Sequence, residues 1–401
     1  MDTNISRPVS YLLALLFLAL IFIVPIAQAV MEARAEETSS LSALFEHAPT
    51  QENLHQLEQD IEAASYPKDY VQPHVQLALS HYGRVGNKRA LIGRSGWLFY
   101  TPGLEHLAGP SFLDTKRLAV RSSQNAAVQP DPRPAIFELA AFLKQREIAL
   151  VIFPVPDKTA LQPLELHGRG AQERTLAVPH NVAWADFARD LSAHGITLFD
   201  PTPAQLTPAE SPHFLEQDTH WTPAWMQQVA NQLARVAAHA GHLPPAHMHT
   251  YRSVAQTAER VGDLVDMLKL PESQTYFAAR TVELAQVHDE SDALWEPDEH
   301  ADVLLLGDSF TNIFTEDFMG WGEAAGLGPQ LSLALARPID VIAQNDSGAF
   351  ATRKLLADAI ARGEDRLAGK RVVIWEFAAR ELSVGDWKHV AWDTTGQQEV
   401  E

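Results

Sequence analysis

Three short runs in this chain are apolar at every position: residues 149–153 (ALVIF), 303–306 (VLLL) and 372–375 (VVIW). A fourth, residues 339–343, is interrupted only by Asp340. A strand with one wet face alternates apolar and polar residues, so continuous apolarity means that both faces are covered, as in a parallel sheet between helices. The segments around these runs carry the 3.6-residue period of helices, at residues 134–147, 181–194, 222–239 and 352–362. Pro134 suits a first helical turn, and Pro154 and Pro156 end the first strand. Gly195 caps the second helix before a short strand at 196–199. Such alternation predicts an α/β fold, a parallel sheet flanked by helices. Residues 241–300 break the pattern, with turns at Pro244-Pro245 and Pro271, and read as an insertion. Residues 93–100 (GRSGWLFY) read as a turn feeding a strand.

The N-terminus is of another kind. Residues 11–30 contain no charge, and about 20 apolar residues suffice for a helix to cross a bilayer. Arg7 precedes the run and Glu32, Glu36 and Glu37 follow it, which places the N-terminus in the cytoplasm and the rest outside. The rival is a cleaved signal peptide, for which Ala27-Gln28-Ala29 is an acceptable cleavage site. The run exceeds a usual signal core, and this favours an uncleaved anchor. The expected division is therefore an anchor or signal peptide at 1–32, a helical stalk at 33–84, a main domain at 85–390 and a tail at 391–401. In the stalk, Leu54, Leu57 and Ile61 recur at helical spacing until Pro67.

Composition narrows function. The chain has no cysteine, which removes thiol nucleophiles, Fe–S clusters and cysteine zinc sites. A formal net charge of −20 argues against nucleic acid, whose phosphates require clustered Lys and Arg. It also gives no long-range attraction for a polyanion.

The sharpest chemical signal is Gly307-Asp308-Ser309 at the end of the second apolar run. In open α/β sheets, sites lie beyond the C-terminal ends of strands. A serine there meets a helix N-terminus whose free N–H groups can stabilise an oxyanion. The plain alternative is that Ser309 only caps the helix. The second signal is Asp218-Thr219-His220, followed by Thr222 as N-cap and Pro223 in the first turn of the next helix. On an extended segment, positions i and i+2 share a face. His220 is then the natural general base and Asp218 the group that orients it. Alternatively, Asp218 caps a turn and His220 only packs. A serine hydroxyl is inert without a base, so the two signals support each other.

With these residues the sequence resembles the alginate O-acetyltransferase family, the AlgX/AlgJ group with an SGNH-hydrolase-like domain. The landmarks, in order, are GRSGWLFY (93–100), DTHWTP (218–223), GDL and ML (262–268), LLLGDSF (304–310) and VVIWEFAARELSVGDWK (372–388). Ordinary SGNH hydrolases carry Gly-Asp-Ser first and the Asp/His pair last. Here the order is rearranged as in this group. A single anchor, and no C-terminal carbohydrate-binding module after Trp387, look more like the AlgJ type. The resemblance implies an SGNH-hydrolase-like sheet and acetyl transfer onto an exported polysaccharide in the periplasm, from the inner membrane, without a cofactor. It further implies a partner, a multi-spanning membrane-bound O-acyltransferase that supplies the acetyl group. It assigns the triad to Ser309, His220 and Asp218.

Asn345 and Gly348, after the run at 339–343, are candidates for the oxyanion hole, with an ordinary glycine turn as the alternative. Arg380 and Glu376 follow the last strand at the sheet's functional edge, where they would line the acceptor cleft or pair with each other. Trp97, Phe99 and Tyr100 could stack on sugars, though core packing explains them better. His242, His247 and His249 read as loop histidines, and no metal site is expected. Two rivals share the chain: an esterase or deacetylase on the same triad, and a non-catalytic subunit of a secretion complex. The acceptor (alginate, cellulose or another exported glycan) is not readable, though the acidic balance suits a neutral one better.

Overall fold

The computed structural model describes residues 7–35, 48, 50–167, 178–202, 212–245, 250–345 and 348–392. Its chain forms two compact units: Met1–Val85 with Lys269–Gln274, and Gly86–Leu268 with Thr275–Glu401.

In the first unit, Arg7–Arg34 is one helix whose most apolar 18-residue stretch has a mean hydropathy of 2.8, long and apolar enough to cross a membrane. Near its end Gln28 is buried. Its amide donates to the Ala64 carbonyl (2.7 Å) and accepts from the Tyr66 N–H (2.9 Å). Those two bonds hold the turn between helices Gln51–Ala63 and Tyr66–Ala78. Pro67 was expected to end a helix. It stands instead in the first turn of the next one, where a missing N–H costs nothing.

The second unit opens with a hairpin, β1 (Ala90–Ile92) and β2 (Leu98–Tyr100), closed by Ser95 and Gly96, both with positive φ. The main sheet follows: β3 (Ala149–Val155) and β4 (Thr197–Leu198), then β7 (Val303–Gly307), β8 (Asp340–Ala343) and β9 (Val372–Ala378). Between them, β5 (Arg252–Arg260) and β6 (Arg280–His288) form a separate antiparallel ribbon inside the expected insertion. The sheet order is β4-β3-β9-β7-β8, and every pairing is parallel.

Alternate residues of the strands feed two cores, as a doubly covered sheet requires. Val151, Phe153, Leu305 and Ile374 pack on one side with Met226, Val229 and Leu233 of helix Pro223–Ala240. Ile152, Leu304, Leu306 and Trp375 pack on the other with Ile136, Leu139 and Leu143 of helix Pro132–Gln145. That helix starts two residues before Pro134. Asp131 caps it by accepting from the Arg133 N–H, and Pro132 takes the first turn.

Pro154 does not end β3. Ile152 accepts from Phe199 on the β4 side, and Val155 accepts from Ala379 on the β9 side. The missing N–H of Pro154 therefore points to the β4 side, beyond the last β4 residue, where no ladder bond is due. β9 lies between β3 and β7, so the last strand in sequence is the central one. Its insertion brings the C-terminal ends of β7 and β9 side by side.

Candidate active site

Ser309 opens the short helix Ser309–Asn312 at the end of β7, and it is half-buried. Asp308 before it is the N-cap: Oδ1 accepts from the Phe310 N–H (2.8 Å), and Oδ2 accepts from the Ala378 N–H of β9 (2.8 Å). The aspartate of Gly-Asp-Ser thus ties the serine turn to the neighbouring strand. Gly307 has no room for a side chain, since a Cβ would meet the Thr311 Cβ at 2.6 Å.

His220 Nε2 lies 2.8 Å from Ser309 Oγ, and His220 Nδ1 lies 2.6 Å from Asp218 Oδ1. Serine and histidine are far apart in sequence, yet they meet at the sheet's C-terminal edge. Asp218 and His220 do not meet by lying on an extended segment. Phe214 bridges to Trp221, Leu215 donates to His220 O, and Asp218 Oδ1 also accepts from the His220 N–H (3.1 Å). The pair sits in a tight turn in which the aspartate caps its own loop and orients the imidazole.

This turn is held from outside by residues to which the sequence reading gave no role in the site. Asp218 Oδ2 accepts from the Trp321 Nε1–H (3.1 Å) and the Asp263 N–H (3.2 Å). The Asp263 carboxylate accepts from the Thr219 N–H (2.7 Å) and hydroxyl (2.6 Å). Gly262 must be glycine, because a Cβ there would lie 2.7 Å from Asp218 N and press on the Gln217 carbonyl. The Gly-Asp-Leu landmark at 262–264 was the one sequence signal for this support. Beneath the loop, buried Lys158 donates to the carbonyls of Leu215 (2.6 Å), Glu216 (3.0 Å) and Asp218 (3.0 Å). Its ammonium lies 5.0 Å above the Trp97 ring and 5.2 Å above that of Phe99. Burial lowers the Lys158 pKa to about 7, against the pull of Asp218 and other acids.

Burial favours the neutral form of Asp218, but the charge and hydrogen bond of His220, with the two N–H donors, hold its pKa well below the usual carboxylate range. Burial also pulls His220 down. The Asp218 anion outweighs it, and the imidazole ends above its ordinary value. Asp263 goes the other way, raised to about 6 by burial and by the charge of Asp218. Asp218, His220 and Asp263 lie close enough to hold a cation. Their facing atoms are already committed to one another, to Thr219 and to backbone N–H groups.

The remaining candidates fall unevenly. Asn345, two residues past β8, accepts from the Asn312 Nδ2–H (2.8 Å), so it reaches the serine helix. Gly348 starts the next helix with φ +53°, and the Glu381 carboxylate fills the place of its missing side chain. It faces that carboxylate. Glu376 does not line a cleft: it is 1% exposed, because it lies on the central strand under the serine turn. Its Oε2 accepts from the Asp308 N–H (3.0 Å) and the Thr311 hydroxyl (2.8 Å). Nor does it pair with Arg380, whose guanidinium lies 5.0 Å over Tyr100 and 5.7 Å over Phe310. Phe99 is fully buried, as core packing predicts. His247 and His249 lie outside the described residues.

Residues 90–379 match the family described as "SGNH hydrolase-like domain, acetyltransferase AlgX". A probable alginate O-acetylase AlgJ from Azotobacter vinelandii is 29% identical over 186 residues, 46% of this chain and 43% of that protein. The chain thus spans less than half the length of that relative. Its counterpart from Pseudomonas putida is 25% identical over 312 residues, 74% of this chain and 71% of the relative. Among solved structures, the O-acetyltransferase domain of P. putida AlgJ superposes with a TM-score of 0.53 at 22% identity, covering 75% of this chain and 94% of that one. Pseudomonas aeruginosa AlgX superposes at 0.50 and 16% identity, covering 73% and 65%. At such identities the superpositions show a shared fold.

Burial and the charge of Asp308 push the Glu376 carboxyl well above the ordinary range, so the fold holds it neutral. Its contribution to stability is complete below the ordinary carboxyl range and is lost as pH rises towards the raised value. Glu376→Gln keeps a neutral acceptor in place. In denaturant melts the variant should match the parent at about pH 4 and exceed it at about pH 9. A parent that stays the more stable at high pH would mean that Glu376 is buried charged.

Proposed function

The chain belongs to the AlgX family of SGNH hydrolase-like acetyltransferases, and on that premise we propose that it moves an acetyl group through Ser309 onto hydroxyls of an exported polysaccharide. The observation that carries this reading is the continuous chain of hydrogen bonds from Ser309 Oγ through His220 to Asp218. The names of the two AlgJ relatives, both alginate O-acetylases, give the acceptor class as a polysaccharide.

In the first half-reaction Ser309 Oγ attacks the acetyl carbonyl and its proton passes to His220 Nε2. The oxyanion would lie against the Ser309 N–H at the start of its helix, with the Asn312–Asn345 amide pair alongside. Collapse of the tetrahedral intermediate expels the donor group, which takes the proton from His220. In the second half a sugar hydroxyl gives its proton to His220 and attacks the acetyl-serine, and the sugar ester leaves as Ser309 recovers its proton. Asp218 keeps Nδ1 protonated throughout, so that Nε2 is free to accept a proton at the start of each half-reaction and the imidazolium formed in between is stabilised.

The same reading places the chain at the inner membrane, with the domain in the periplasm. Gln28 supports an uncleaved anchor: cleavage after Ala29 would remove the side chain that closes the turn at Ala64 and Tyr66. The acetyl donor would come through a multi-spanning membrane-bound O-acyltransferase partner, as the resemblance implies.

Incubation with a surrogate acetyl ester should add one acetyl group to Ser309, read by mass spectrometry of the intact protein. Ser309→Ala should show none, and should lose polymer acetylation in cells. Full acetylation by that variant would remove Ser309 from the chemistry. Because His220 must be neutral to accept a proton and its pKa is raised, the acid limb of turnover should lie above the ordinary 6.5. Asp218→Asn should move that limb to lower pH and slow turnover by about 10³–10⁴-fold. An unmoved limb would assign it to another group.

A further inference from the structure

A cavity of about 710 Å³ opens beside the serine turn. Asn312, on the same short helix as Ser309, and Asn345 form one wall of it. The chain before Asn345 is bonded back to β7, since the Gln344 N–H donates to the Gly307 carbonyl (3.0 Å). The cavity therefore reaches the last residue of the serine helix, although Ser309 and His220 are not among the residues that line it.

Two features of its lining are independent of each other. Glu296, Glu316 and Glu323 all face it, all are exposed, and no Lys, Arg or His lines it. Among the described residues none of these three carboxylates makes an ion pair, although ion pairs are frequent elsewhere on this surface. The second feature is Phe318 at the rim. It is 70% exposed, on a short helical turn (Asp317–Met319) that Glu316 precedes. An aromatic face left in water at the rim of such a cavity is a platform on which the apolar face of a pyranose ring stacks.

We propose that this cavity is the acceptor groove and that it takes an uncharged glycan, one sugar ring lying on Phe318, while Glu296, Glu316 and Glu323 turn polyuronates away. The inference rests on the acetyltransferase reading above and adds the substrate class. The physical case is one of sign. A polyuronate brings one negative charge per residue, and several would face these carboxylates at once without a cation to offset them. The net charge of −20 repels such a chain at longer range as well. A neutral glycan meets none of this, and its hydroxyls find acceptors in the same carboxylates.

Binding of sugars to full-length protein in detergent, carrying Ser309→Ala, tests the groove without turnover. The probes are a neutral β-1,4-glucohexaose and a mannuronate hexamer. The glucohexaose should bind at least about tenfold more tightly, the scale of one close like-charge contact. Added salt should narrow the gap by screening the carboxylates. The variant with Glu296→Gln, Glu316→Gln and Glu323→Gln should narrow it at low salt, and Phe318→Ala should weaken binding of the neutral hexamer. Equal or tighter binding of the uronate, or a gap unmoved by the triple substitution, overturns the proposal. Acetylation of Ser309 by the surrogate ester in the parent protein is read separately. Its absence would sink the acetyltransferase reading and leave the groove result standing, while its presence beside uronate preference would sink only the groove.

Discussion

Asp218 is a carboxylate removed from water, and it stays charged because His220 Nδ1, the backbone N–H groups of His220 and Asp263, and the indole of Trp321 converge on it. The imidazole then sits in one tautomer with Nε2 turned towards Ser309. Much of the nearby structure supports that carboxylate. Lys158 ties down its loop from below, Gly262 lets the Asp263 segment approach, and Thr219 links the two acids. A partly satisfied network of this kind would be worse than none, since a buried anion short of donors is expensive.

The serine side is built on other principles. Ser309 stands where a fully covered parallel strand ends, and Asp308 bonds both its own helix and β9. Glu376, held neutral on the central strand, accepts from the backbone and side chain of the same turn. The nucleophile is therefore placed by the rigid centre of the sheet and the base by a cross-braced loop. Their 2.8 Å contact depends on both.

Much of this was legible in the sequence because it is local. Continuous apolar runs announce covered strands, Thr222-Pro223 announces a helix start, and Gly-Asp-Ser after such a run announces a strand-end serine. What was not legible is set by distant partners. Nothing near residues 372–378 says that they form the central strand, and this position buries Glu376 instead of leaving it in a cleft. Nothing near Gly348 says that Glu381 will occupy its vacant side-chain place. Pro154 looks like a strand end until the shortness of β4 is known. The pairing of Asp218 and His220 was read correctly from the wrong geometry, since a tight turn, not an extended segment, brings them together.

The account stands on the meeting of one hydroxyl with one imidazole, and a serine-directed fluorophosphonate probes that meeting directly. Peptide mapping after labelling should find the phosphonyl group on Ser309, at a rate that falls as His220 becomes protonated and collapses in His220→Ala. A label on any other serine, or undiminished labelling of Ser309 without the imidazole, would contradict it.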